Sequence, residues 1–509
     1  MTAVPGNSQV TPAGLNRPAE QARPGQAART QAAGAAAVRR HWLAVALLSA
    51  GLVLRVLAEL AYRPALFYID TTRYLYNADG MDPVGYKGPL RAILLVGNFD
   101  AVAAVQHLLG LAMAVVLYLL LLRRGVPRWL AALATAPVLL DAYQVQIEQT
   151  IMPDTWFEAL IVADLAILLW PAARPQPEGV VPPAAGAGPS WRRVVAAGVV
   201  LGTSATVAQV GEALILPAVI YLLAAGGGGR RAIGKAAALG AAFALPIVAY
   251  CTGSYLLTGD FFLSHSGVTS FYGRTAAAAD CATIRLPAAE RGMCPTVAQQ
   301  ARGPDWLEYG GTSPVRPYYS GLPRAQADRL ISDFSHQVLT QQPLRLLGAY
   351  GRDVVKLFAL TRDGRQGDTI IARWQFHTTF PYYPPHASEA AVNSAISRYG
   401  GGPPAVWEPA AAFLRSYQLD GGYTPGPLLA LCTLAGLAAL LRRRTDPATR
   451  QLALACLLCL ASAASVLLVS DALEFSWRYQ LPALVTLAPA GVLGITVIIR
   501  SISTRRSSG

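Results

Sequence analysis

The sequence predicts an all-α, polytopic membrane protein: a bundle of about ten transmembrane helices with interfacial helices and one large loop region. Three observations lead there. Of 509 residues, 53% are hydrophobic and only 14% charged, where a soluble chain carries roughly 25% charged residues. The apolar residues are gathered into blocks, each suited to a hydrocarbon core ~30 Å thick. The arginines collect in alternate connections between those blocks. So apolar a chain is also no disordered protein, and six cysteines are too few for a disulfide scaffold.

Residues 1–40 are rich in Ala, Gln, Pro and Arg with no apolar run, which predicts a disordered tail. The first block starts too late for an ordinary cleaved signal peptide and reads as an uncleaved anchor. The blocks cover 41–61, 101–122, 127–143, 155–172, 194–206, 213–225, 233–257, 427–441, 452–469 and 482–499. The fifth and sixth are short and parted only by 207–212, as in a discontinuous hairpin. Two segments, 62–100 and 258–426, are too long and polar to be mere connectors. Within the second, 343–360 is apolar but broken by Arg345, Arg352, Asp353 and Lys356, the pattern of an interfacial helix. The expected division is therefore a tail (1–40), an N-terminal transmembrane module (41–257) holding the loop 62–100, a large loop region (258–426), C-terminal helices (427–500) and a short tail (501–509). No inverted repeat of the transporter kind is visible.

With the first tail inside, the inner connections hold Arg123, Arg124, Arg128, Arg174, Arg192, Arg193, Arg230, Arg231, Lys235, Arg442, Arg443, Arg444 and Arg450. The short outer loops, 144–153, 207–212 and 470–478, hold only Arg478. This is the positive-inside pattern of a multi-pass cell (plasma) membrane protein. It absorbs much of the net charge of +13, which otherwise invites a nucleic-acid reading. Both long loops fall outside.

Two motif-like stretches carry no chemistry. Gly229 to Ala236 approximates a phosphate-binding P-loop, but Ala236 stands where the magnesium-holding Ser or Thr belongs, and no strand precedes it. Cys456 and Cys459 have redox spacing but lie mid-helix; with Cys432 they read as small packing residues. Cys281 and Cys294 are different. Both fall in the outer loop, where an oxidising compartment would pair them; the alternative is two unrelated buried thiols.

Ionisable groups at the outer helix ends are the default functional candidates. The first outer loop carries Asp70, Arg73, Asp79, Asp82, Lys87 and Arg91; later ones carry Glu148, Asp154, Glu158, Glu212, Asp471, Glu474, Arg478 and Tyr479. Hydration of loop ends is the plain alternative. Asp70 a few residues beyond the first helix, Lys87-Gly88-Pro89-Leu90 leading into the second, Glu148-Gln-Thr-Ile-Met-Pro-Asp154 opening the fourth, Gln209-Val-Gly-Glu212, and Trp477-Arg478-Tyr479-Gln-Leu-Pro482 entering the last together resemble the GT-C superfamily of polyprenyl-phosphate-dependent glycosyltransferases, such as bacterial mannosyl- and arabinosyltransferases. The likeness covers roughly 41–257 and 470–500. Gln209 departs from it by standing where Arg is usual, and the large loop matches nothing in it.

The resemblance implies a GT-C-like bundle and a cell-envelope enzyme. It would move a hexose or pentose from a polyprenyl phosphate to an extracytoplasmic glycan, lipid or protein, with inversion and without nucleotide or nucleic acid. Asp70 would be the general base. Lys87 and Arg478, then Arg73 and Arg91, would hold the donor phosphate, although such cations also serve lipid headgroups. Glu148, Asp154, Glu212 and Tyr479 would bind acceptor or substrate. Glu148 and Asp154 would alternatively support Asp70 or hold a divalent metal, the one cofactor left open. Arg55 and Glu59, one turn apart, read as a structural pair. In the large loop, Trp374 and His377, with His386 nearby, offer sugar-binding aromatic and polar groups or an interfacial belt. Two other classes remain: a glycolipid transporter or flippase, and a non-catalytic sugar-binding assembly subunit.

Overall fold

The computed structural model describes residue 36 and residues 38–76, 83–171, 188–225, 229–442 and 446–506. Asp79, Asp82, Arg174, Arg443, Arg444 and most of the N-terminal tail lie outside the described residues. Every predicted apolar block is helical. Among the described residues, five helices are long and apolar enough to cross a membrane alone: Trp42–Ala61, Phe99–Arg123, Gly229–Thr258, Pro447–Leu473 and Trp477–Ile502. The pair Arg128–Leu140 and Ala142–Gln149, bent by 51°, makes a possible sixth. Asp154–Leu169 and Gly426–Leu441 have 16 residues, Trp191–Val207 has 17 and Ile215–Ala225 has 11. The fold class is therefore the expected helical membrane bundle, with five or six full-length crossings among the described residues beside these shorter apolar helices.

The bend has a local cause. Asp141 takes an extended conformation between the two halves and its carboxylate accepts the Tyr143 amide. The same carboxylate is buried in an ion pair with Arg362 at 2.9 Å and accepts the Thr424 amide. Arg362 in turn lies over the rings of Tyr143 and Tyr423. One acid thus ends a helix and ties it to the loop region.

Small residues let the helices approach closely, as in other membrane bundles. At Gly202, an added Cβ would sit 2.1 Å from the Phe243 carbonyl of the facing helix. Cys432, Cys456 and Cys459 belong to this packing: the Cys456 thiol reaches the Ala490 carbonyl at 3.4 Å, and none of the three is disulfide-bonded. At one end of the bundle the arginines converge on backbone carbonyls. Arg124 donates to Leu169, Arg193 to Trp170 and Arg500 to Gly125.

The opposite end carries the loops. Tyr62–Arg63 pairs with Ala405–Val406 in a two-stranded antiparallel sheet, joining the first helix to the end of the large loop. Residues 266–342 form a helical cap with its own core of Tyr272, Met293, Leu307 and Phe334. Cys281 and Cys294 are disulfide-bonded beside that core, their Cα atoms 5.8 Å apart. The following helix, Pro343–Lys356, exposes Leu344, Leu347 and Val355 and buries Asp353. Its Tyr350 donates to the Leu468 carbonyl at 3.1 Å, so it lies along the loop-side end of Pro447–Leu473.

Candidate active site

Backbone stitching brings the first loop against the entry to helix Asp154–Leu169. The Leu66 amide donates to Gln149 O and the Ile151 amide to Leu66 O, each at 2.9 Å. Thr71, fully buried, donates to Ile151 O at 3.0 Å and accepts the Tyr68 amide at 2.8 Å. Asp70 and Asp154 are thereby fixed around one site.

Two adjoining cavities fill that region. The larger, about 530 Å³, is lined by Asp154, Glu158, Gln209, Glu212, Glu308 and the apolar faces of Phe157, Val466, Val469 and Leu473. The smaller, about 470 Å³, is lined by Asp70, Arg73, Asp305, Arg316, Arg373, Trp374 and His386. Tyr309, Glu474, Arg478 and Tyr479 belong to the walls of both.

Arg478 is the hub. It stands 3.3 Å from the Asp154 carboxylate and lies over the rings of Trp374 and Tyr479, at 4.9 and 5.0 Å. The Tyr479 hydroxyl donates to Glu474 at 2.6 Å. Burial first, then the nearby Asp305 charge, raises the Glu474 carboxyl to about 7, against the lowering pull of Tyr479 and Arg478. Asp70 pairs with Arg73 at 3.3 Å. Arg373 pairs with Asp305 at 3.2 Å and reaches the Tyr68 hydroxyl at 3.4 Å. Burial holds the Tyr68 phenol protonated far above its usual range. Tyr68 also packs on Trp374 and Tyr383.

Of the residues singled out from sequence, Asp70, Arg73, Asp154, Glu212, Trp374, Arg478 and Tyr479 line the cavities. Lys87 and Arg91 line neither; both sit on the short helix Lys87–Leu94, and burial with the neighbouring Arg91 lowers the Lys87 amine. His377 lines neither and bonds the Ala372 carbonyl at 3.0 Å. Glu148 is fully buried away from both cavities. It is held by Arg55 at 2.7 Å, His107 at 3.0 Å and Gln144 at 3.2 Å. Arg55 therefore pairs with Glu148 in place of Glu59, because Glu148 can join it in a dry site where the Gly51, Leu139 and Val138 carbonyls take its other terminal donors, leaving only Nε unmet. The resemblance left a divalent metal open at Glu148 and Asp154, but these two acids serve different arginines. Among the described residues no three His, Cys, Asp or Glu side chains form a metal-holding group.

The residues missed from sequence come from the cap: Asp305, Glu308 and Tyr309 on helix Gly303–Tyr309, and Ser266 and Ser270 on Ser266–Ala278. Their only sequence signal is the alternation of acid and aromatic in Asp305-Trp306-Leu307-Glu308-Tyr309.

No protein-family model matches the chain, and no curated protein does. Solved structures do match. One is the S. cerevisiae protein O-mannosyltransferase Pmt1-Pmt2 complex bound to its sugar donor, at 19% identity and a TM-score of 0.32, covering 47% of this chain and 36% of that one. Another is the Archaeoglobus fulgidus oligosaccharyltransferase AglB with an inhibitory peptide and a dolichol-phosphate, at 14% identity and a TM-score of 0.38, covering 92% of this chain and 52% of that one. The chain spans about a third and about half of their lengths. Overlaps of that extent leave the chemistry to this chain's own residues.

Proposed function

We propose that this protein is an integral-membrane glycosyltransferase that moves a sugar from a polyprenyl-phosphate donor to an acceptor on the loop side of the membrane, with inversion. The observation that carries the reading is the position of Arg478 in the wall shared by two cavities, one lined by Asp70 and the other by apolar faces of a membrane helix. The apolar faces of Val466, Val469 and Leu473 suit a polyprenyl chain. Arg478, pre-set by Asp154 and two rings, suits the phosphate that leaves. Charge-assisted bonds to that group strengthen as its negative charge develops. Asp70, steadied by Arg73, removes the acceptor hydroxyl proton as the oxygen attacks the anomeric carbon. The sugar–phosphate bond breaks on the opposite face and the lipid phosphate departs toward Arg478. A single displacement of this kind inverts the centre.

Asp70→Asn should fold and bind donor normally but lose about 10²–10⁴-fold in turnover. Release of sugar from a polyprenyl-phosphate donor by purified protein, with and without candidate acceptors, measures this. Near-wild-type transfer by the variant would remove Asp70 from the mechanism.

A further inference from the structure

Glu158 is a buried acid that the mechanism above does not use. It lies one helical turn after Asp154, is 1% exposed, and lines the larger cavity. Neither of its carboxyl oxygens has a hydrogen-bond partner in the fold. The Gln144 amide, which donates to Glu148 at 3.2 Å, is a polar neighbour of Glu158 as well. Across the same cavity one Glu474 oxygen and one Asp154 oxygen are also unsatisfied. A buried polar atom without a partner is costly and rare, so each asks what completes it.

The missing partners must be hydrogen-bonding groups, donors to the bare oxygens and acceptors for any carboxyl that keeps its proton, and several are needed at once. The cavity is walled by apolar side chains on one side and by these acids on the other, with Arg478 at its edge. A sugar ring has this profile: an apolar face, a rim of hydroxyl donors, and in the donor molecule a phosphate at one corner. From this we infer that Glu158 is a sugar-anchoring, specificity-determining residue. It accepts hydrogen bonds from hydroxyls of the glycosyl group while the attached phosphate rests on Arg478. This inference rests on the glycosyl-transfer reading and adds to it that the larger cavity holds the sugar together with its lipid.

Full-length protein in nanodiscs tests it with two probes: a bare polyprenyl phosphate, and the same lipid carrying mannose, galactose or arabinose. The wild type should bind at least one glycosylated lipid more tightly than the bare one. Glu158→Gln should weaken that lipid about tenfold, the scale of one buried hydrogen bond, and leave the bare lipid unchanged, which also shows that the variant is folded. Glu158→Asp should fall between. An unaltered preference in Glu158→Gln overturns the assignment. Equal weakening of both lipids also overturns it, by giving Glu158 a structural role. A wild type that binds both lipids equally removes the sugar contact but spares the transferase reading; a wild type that binds neither defeats both.

Discussion

The pairs Arg55–Glu148 and Arg478–Asp154 are made of the same two kinds of side chain, and their acids stand close together in one short segment. They do different work. Arg55 and Glu148 are 2% and 0% exposed, 2.7 Å apart, and almost every remaining valence is met by carbonyls, His107 or Gln144. Arg478 and Asp154 are each 18% exposed, more loosely paired at 3.3 Å, and open onto cavities. A nearly saturated buried pair that opens onto neither cavity has little left to offer a ligand. A half-satisfied pair at a cavity wall has more. The difference teaches that the number of unmet bonds, more than charge or position near a helix end, separates framework from site.

The sharpest way to break this contrast is to cut the nearly saturated pair. Glu148→Ala leaves Arg55 buried and uncompensated, which should cost about 3–5 kcal/mol and lower the thermal midpoint steeply in detergent. Replacing both residues by Met should recover much of that loss. A Glu148→Ala protein of normal stability and poor transfer would move Glu148 into the site. Next comes the open pair. Arg478→Gln should reduce sugar transfer about 10²–10³-fold while changing the midpoint far less than Glu148→Ala does, as paired melting curves and turnover assays will show.

A smaller effect concerns pH. The Glu474 carboxyl titrates near 7 in the folded protein, above its unfolded value, because burial disfavours its charged form. The folded state therefore holds this proton more tightly, and the stability it lends is lost as pH rises through about 7. Above that pH the new negative charge beside Arg478 opposes a phosphate. Donor KM should rise between pH 7 and 8 and stay flat in Glu474→Gln; the same rise in the variant would assign the titration elsewhere. The smallest effect is expected at Lys87, which lines neither cavity: Lys87→Gln should change donor KM by about twofold or less.

Sequence reading was strong where the signal is local. Apolar blocks located the helices of the bundle, and the ionisable groups at the loop-side helix ends included Asp70, Asp154, Arg478 and Tyr479, which line the cavities. It could not rank Glu148 below Asp154, because that ranking depends on Arg55, far off in sequence and facing Glu148 across two helices. The i,i+4 rule offered Glu59 to Arg55, and a better-placed acid from another helix won. Nor could spacing bring Asp305, Glu308 and Tyr309 to the site, since helix Gly303–Tyr309 reaches it only through the packing of the cap. Lys87 shows the other side: it matches a motif position while its short helix lines neither cavity.

The join between Asp70 and Arg478 also has a consequence for biogenesis. Synthesis runs from the N-terminus, and domains form in that order. The carboxylate from the first loop is laid down early, but its cationic counterpart arrives only with the final membrane helix, after more than 400 further residues. A nascent chain in the translocon thus carries the proposed base without the proposed phosphate site. Chains released before residue 478 would be membrane-embedded yet chemically inert, which keeps incomplete protein from sequestering a scarce lipid carrier.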